Sequence, residues 1–156
     1  MRRLVEDTLR LIGQDAASRG VAVRFDASPS LPEVAIDPDR MRQVILNLCL
    51  NALEAMPDGG ELSLSLQPDA EALRLEIRDS GMGIAPDALP HIFDPYFTTK
   101  GQGTGLGLAT VHKIIEAHGG SISVASEPGQ GAAFRILLPL REDGREGAAE
   151  QGRTVS

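Results

Sequence analysis

The chain has no tryptophan, one tyrosine and one cysteine in 156 residues, and aromatic side chains make up only 3% of it. Its core must therefore be built from aliphatic groups. A lone cysteine, Cys49, excludes an intrachain disulfide and fits a reducing compartment. Set within an apolar run, it reads as a small buried hydrophobe rather than a nucleophile. No apolar stretch approaches the roughly 20 residues of a membrane span, and no secretory signal pattern opens the chain. Positive charge is also short: 15 Lys and Arg face 22 Asp and Glu, for a net charge of -7. That balance excludes a nucleic-acid surface built on clustered cations. The expectation is a cytoplasmic piece that touches neither membrane nor nucleic acid.

What is present suits one domain with a single core, at 42% apolar residues. Leu4, Val5, Leu9, Leu11 and Ile12 give residues 3–18 a helical spacing. Val21 to Phe25 alternates as a short strand. After the breakers Pro29 and Pro32, Val34-Ala35-Ile36 is expected to form another. Asp37-Pro38 starts a helix, with Asp as the cap and Pro at the first helical position. It runs to about Met56, where Pro57-Asp58-Gly59-Gly60 turns the chain. Leu62, Leu64 and Leu66 alternate with Ser63 and Ser65, and Leu73, Leu75 and Ile77 with Arg74, Glu76 and Arg78. These are two half-buried strands of a hairpin whose loop is expected from Gln67 to Ala72.

A loop-rich stretch follows from Asp79 to Gly103. Leu108, Val111, Ile114 and Ile115 make Thr104 to His118 helical, and Gly119-Gly120 stops it. Ser121–Ser126 and Ala132–Leu140 pair around Glu127-Pro128-Gly129-Gln130-Gly131. From Arg141 the chain is charged and Gly-rich, so residues 1–140 are expected to fold and 141–156 to form a disordered tail. The order of elements implies an α/β two-layer sandwich: one mixed sheet of about five strands covered on one face by about three helices. A bare opposite face would account for Ser63, Ser65, Arg74 and Glu76.

Three segments carry chemistry. Asn47 and Asn51 share one helix face at i and i+4, among Val44, Ile45, Leu46, Leu48, Cys49 and Leu50. Buried amides need partners. Neighbouring backbone can supply them, or an Asn carbonyl oxygen can ligate Mg²⁺ together with phosphates; the residues alone leave both open. Asp79-Ser80-Gly81-Met82-Gly83 ends a strand in a carboxylate followed by glycines. An acceptor-only group suits the exocyclic amino group of adenine and would repel the carbonyl of guanine; a turn-capping Asp is the alternative. Gly101, Gly103, Gly105 and Gly107 alternate ahead of a helix whose positive end favours an anion. The spacing is neither a Walker A loop nor a dinucleotide fingerprint. Before it, Phe93, Tyr96 and Phe97 are expected to anchor one end of a mobile lid, and Lys100 stands beside the glycines, able to reach a terminal phosphate.

In this order and spacing, Asp37 to Met56, Asp79 to Gly83, Phe93 to Lys100 and Gly103 to Leu108 resemble the N, G1, F and G2 nucleotide boxes of sensor histidine kinases. The resemblance covers about Arg3 to Leu140, and Pro-Tyr-Phe-Thr-Thr-Lys with its short lid is most similar to the nitrogen-regulation type. It implies a Bergerat-type sandwich binding ATP and Mg²⁺ beneath a lid. By it, Asn51 is the metal ligand and Asn47 supports metal or phosphates. Asp79 holds adenine, with Gly81 and Gly83 shaping that pocket. Thr99, Lys100, Gly103, Thr104, Gly105, Leu106, Gly107 and Leu108 surround the triphosphate, with Asn47 and Lys100 assisting transfer.

The family's phosphate-accepting histidine sits in a helical-hairpin dimerisation domain within an acidic motif. His91, His112 and His118 lack that motif and read as structural or exposed. The chain is therefore expected to begin after the acceptor hairpin and to be monomeric, with that hairpin and, through it, a response regulator as partners. ATP-hydrolysing and serine-kinase relatives place a Glu base where this chain has Asn47. An amide cannot take a proton, which favours transfer to an imidazole that brings its own base.

Overall fold

The computed structural model describes residues 1–97 and 106–140. Asp37 caps the most deeply set helix: its side chain accepts from the backbone N–H groups of Asp39 and Arg40, and Pro38 occupies the first helical position. This helix, α2 (Pro38–Glu54), follows α1 (Arg2–Ser18) and β1 (Val21–Ala27). After it come β2 (Gly60–Asp69), β3 (Ala72–Asp79), a single 3₁₀ turn at Leu89–His91, α3 (Gly107–Ala117), β4 (Ser121–Ser126) and β5 (Ala132–Pro139).

The strands form one mixed sheet in the order β1-β2-β3-β5-β4, parallel between β1 and β2 and antiparallel elsewhere. Period-two alternation sends Leu62, Leu64, Leu66, Leu73, Leu75 and Ile77 to one face, where all are buried. Each is worth about 1.5–3 kcal/mol relative to an exposed position. Val44, Ile45, Leu48, Leu53 and Ile115 meet them from the helices, completing the expected two layers. The other face carries Ser63, Ser65, Arg74, Glu76 and Arg78. There Glu76 accepts from Arg78 at 3.2 Å and Arg135 lies 3.7 Å from it. Among the described residues no helix is long and apolar enough to cross a membrane.

Three local expectations need correction. Val34-Ala35-Ile36 forms no strand. Its side chains alternate between half-buried and exposed, but the flanking chain instead lines a groove of about 380 Å³ with Met1, Arg2, Leu31, Pro32 and Glu33, without a sheet ladder. Alternation reports which side chains find cover, not whether the backbone finds a partner. The hairpin loop shrinks to Ala70 and Glu71, because Gln67 pairs with Arg74 and Asp69 with Ala72. The helix expected from Thr104 begins at Gly107, with Leu106 outside it as N-cap and the first bond running from Thr110 N–H to the Leu106 carbonyl at 2.9 Å. Residues 141–156, expected as a tail, lie outside the described residues.

The tight β2–β3 turn holds Ala70 at φ +54°, a left-handed conformation that a Cβ disfavours. Ala70→Gly is therefore expected to stabilise the fold by about 1 kcal/mol. Urea denaturation would show a higher midpoint at unchanged slope; a lower midpoint would contradict the strain.

Candidate functional site

Asn47, Asn51 and Ala55 lie at successive i+4 steps along α2 and its C-cap, a line about 12 Å long. One end of the line meets α3, where Asn47 Nδ2 donates to the Gly107 carbonyl at 3.5 Å. The other end meets the loop after β3, where the Ala55 carbonyl accepts from Met82 N–H at 3.1 Å. Asn51 is half-buried between the two contacts. The helix is less enclosed than its apolar neighbours suggest: Val44, Ile45, Leu48 and Cys49 are buried, but Leu50 is exposed. Burial pushes the Cys49 thiol up to about 12, so it stays protonated and inert.

Asp79 ends β3 and is 6% exposed. Its Oδ1 accepts from Gly81 N–H at 2.8 Å, which folds the chain back at the strand end. Burial raises the carboxyl from its ordinary value, while hydrogen bonds from the Gly81 and Ala132 backbone pull it partly back. The result is an acceptor held in place by backbone donors in a dry setting. The loop beyond it is sewn down on both sides. A methyl group on Gly81 would collide with the Ala55 carbonyl oxygen. One on Gly83, at φ +77°, would collide with the carbonyl of Glu127. Met82 accepts from Gly129 N–H at 2.7 Å, and Ile84 N–H donates to Ser126 Oγ at 2.8 Å. Both glycines are thus places where backbone passes close to backbone.

The aromatic segment divides. Ile92 is buried, and Phe93 stacks near His112 (5.3 Å between centroids) and edge-on to Phe134 (6.3 Å). Phe97 lies 5.6 Å from the His91 ring. Tyr96 makes no ring contact among the described residues; it is 74% exposed at φ +67°. A phenol oxygen gains from contact with water, which an exposed position gives it. Lys100, Thr99, Gly103, Thr104 and Gly105, and with them the expected lid and phosphate loop, lie outside the described residues.

Ala55, Ser126 and Gly131 also build the site, although no motif singles them out. Gly131, at φ +80°, leaves no room for a side chain against the Asp79 carbonyl. Its place in a turn rich in Gly and Pro was the one available signal.

The donor set fits an adenine nucleotide with a hard cation. A buried acceptor at the end of β3, beside glycines that leave no room for a Cβ, suits an amino-bearing base. An amide oxygen stands one helical turn from the start of α3, near where phosphates favour a helix N-terminus. Among the described residues no group of three or more His, Cys, Asp or Glu side chains can hold a metal. A single amide oxygen such as that of Asn51 suits Mg²⁺ shared with the phosphates.

Comparison with known proteins identifies the family. Residues 36–142 match the family of histidine kinase-, DNA gyrase B-, and HSP90-like ATPases. The catalytic domain of histidine kinase ThkA in a nucleotide-free form superposes with a TM-score of 0.81 at 31% identity, covering 90% of this chain and 92% of that one. This chain belongs to that ATPase family. Within it, the chain groups with the histidine kinase catalytic domains. Sensor histidine kinase ZraS of Escherichia coli (strain K12) is 49% identical over 140 residues, which is 90% of this chain and 30% of ZraS. The chain thus spans between a fifth and a third of the length of curated relatives such as ZraS. Full-length ShkA, solved in complex with AMPPNP, matches with a TM-score of 0.80 at 34% identity, over 88% of this chain and 29% of ShkA. ThkA has also been solved in complex with the response regulator TrrA, with a TM-score of 0.78 at 27% identity, over 93% of this chain and 42% of that one.

Proposed function

We propose that this histidine kinase catalytic domain binds MgATP and transfers the γ-phosphoryl group to a histidine on a dimerisation domain outside this chain, from which a response regulator receives it. The observation that carries the reading is the α2 line of Asn47, Asn51 and Ala55, spanning from the start of α3 to the loop folded over buried Asp79. Family membership and the AMPPNP complex of ShkA support ATP as the nucleotide.

In this reading Asp79 accepts from the adenine amino group, and Gly81 and Gly83 shape that pocket by letting the loop pack against the Ala55 and Glu127 carbonyls. Asn51 supplies an oxygen to Mg²⁺, and Asn47 orients the phosphate end. Lys100, Thr99, Gly103, Thr104, Gly105, Leu106, Gly107 and Leu108 surround the triphosphate, with Lys100 near the γ-phosphate. Bound Mg²⁺ supplies charge neutralisation on the phosphates. The chain's own contribution is positioning for in-line attack. Asn47 stands where hydrolytic and serine-kinase relatives carry a base, and its amide takes no proton, so water or a hydroxyl gains no activation there. The imidazole nucleophile is proposed to arrive with its own base. The domain works in the cytoplasm and, by itself, as a monomer.

The test is to incubate the chain with MgATP and an isolated acceptor hairpin. Acid-labile, base-stable phosphate on the hairpin is expected. Release of inorganic phosphate with no labelled hairpin would instead favour a hydrolase.

A further inference from the structure

His118 ties together the two helices that carry the candidate site, at the end away from it. It is the C-cap of α3, and Gly119 and Gly120 close the helix behind it by donating to the Glu116 and Ile115 carbonyls, each at 3.0 Å. Its Nδ1 lies 2.8 Å from the Ile114 carbonyl oxygen, and its Nε2 lies 3.0 Å from the backbone nitrogen of Asp37. A backbone N–H only donates and a carbonyl only accepts. The ring must therefore carry its proton on Nδ1 and a lone pair on Nε2.

Asp37 is the N-cap of α2. The two antiparallel helices are thus cross-linked twice, by Asp37 to His118 and by Asn47 to Gly107. The two links are separated by about 15 Å along either helix. Leu106 gives the start of α3 no side-chain cap, so the register of α3 along α2 decides where its leading N–H groups stand relative to Asn47 and Asn51.

We propose that His118 is a positioning residue for the phosphate end of the nucleotide: it holds α3 in register along α2 by accepting the Asp37 N–H. The adenine end, held by Asp79 on β3 and its loop, does not depend on that register. The inference rests on the MgATP reading above.

Calorimetry on the 156-residue chain, with MgATP and with adenosine as separate titrants, tests it. His118→Phe keeps the ring and removes both nitrogens; His118→Ala carries the same comparison where the ring swap unfolds the chain, as judged by circular dichroism. MgATP affinity is expected to fall about tenfold while adenosine affinity stays within about twofold. His118→Gln, whose Oε1 accepts the Asp37 N–H, is expected to restore MgATP affinity to within about twofold of wild type. Equal weakening of both titrants, an unchanged MgATP affinity, or a Gln variant no better than Phe would overturn the positioning role. Absence of MgATP binding by the wild-type chain would instead overturn the nucleotide reading itself, and the proposal with it.

Discussion

Asn51→Ala is expected to lower phosphotransfer to the acceptor hairpin on the order of a thousandfold, about 4 kcal/mol, by removing the protein oxygen proposed for Mg²⁺. The substitution leaves the helix intact, since Ala is the better helix former and Asn51 is only half-buried. Loss of folding is therefore not the expected cause. The sharper sign is a change in coupling. Wild-type nucleotide affinity should rise with added Mg²⁺, whereas the variant should bind ATP almost equally with Mg²⁺ or with chelator. Titrations in the two conditions, beside single-turnover transfer, separate the outcomes. A variant that keeps both its activity and its metal dependence removes Asn51 from the metal and leaves the amide as a packing group.

The sequence disclosed what is written locally. Asp37-Pro38 announces a capped helix because the cap bonds and the fixed proline φ act within four residues. The leucine–serine alternation of β2 and the leucine–arginine alternation of β3 announce a sheet with one dry face, because the pleat enforces period two. Asn47, Asn51 and Asp79 were legible as candidates because polar groups in apolar company require an explanation. What stayed hidden depends on distant chain. Val34 to Ile36 has the pattern of a strand but no neighbouring strand to bond. Tyr96 belongs to an aromatic segment, yet only Phe93 and Phe97 find ring partners among the described residues. Gly131 and Ala55 matter because backbone passes within contact of Asp79 and Gly81, a closeness no spacing encodes. The bond between His118 and Asp37 joins residues 81 positions apart. Tertiary packing creates these features, and pattern reading sees only one partner at a time.

Asp79→Asn is expected to weaken ATP binding by about 2 kcal/mol, close to thirtyfold, because a charged acceptor becomes an amide able to point a donor at the adenine amino group. Its effect on the fold should have the opposite sign. Burial raises the Asp79 carboxyl, outweighing the help of the Gly81 and Ala132 backbone donors, so the ionised form is a cost to the nucleotide-free fold. A carboxyl raised in the folded state binds its proton more readily there than in the unfolded chain. Its contribution to stability is full at pH below its ordinary range and is lost as pH rises through the raised value. At neutral pH the wild-type chain carries that cost and Asn does not. The nucleotide-free variant should therefore melt no lower than wild type, and acidification should gain it less stability. Thermal melts across pH, paired with ATP calorimetry, read both effects. A variant that loses affinity and melting temperature together would make Asp79 a structural cap. A variant with unchanged affinity would remove it from the adenine contact. A site chosen for ligand binding rather than for packing should display this opposition, because the buried charge is retained for a partner that only the bound state supplies.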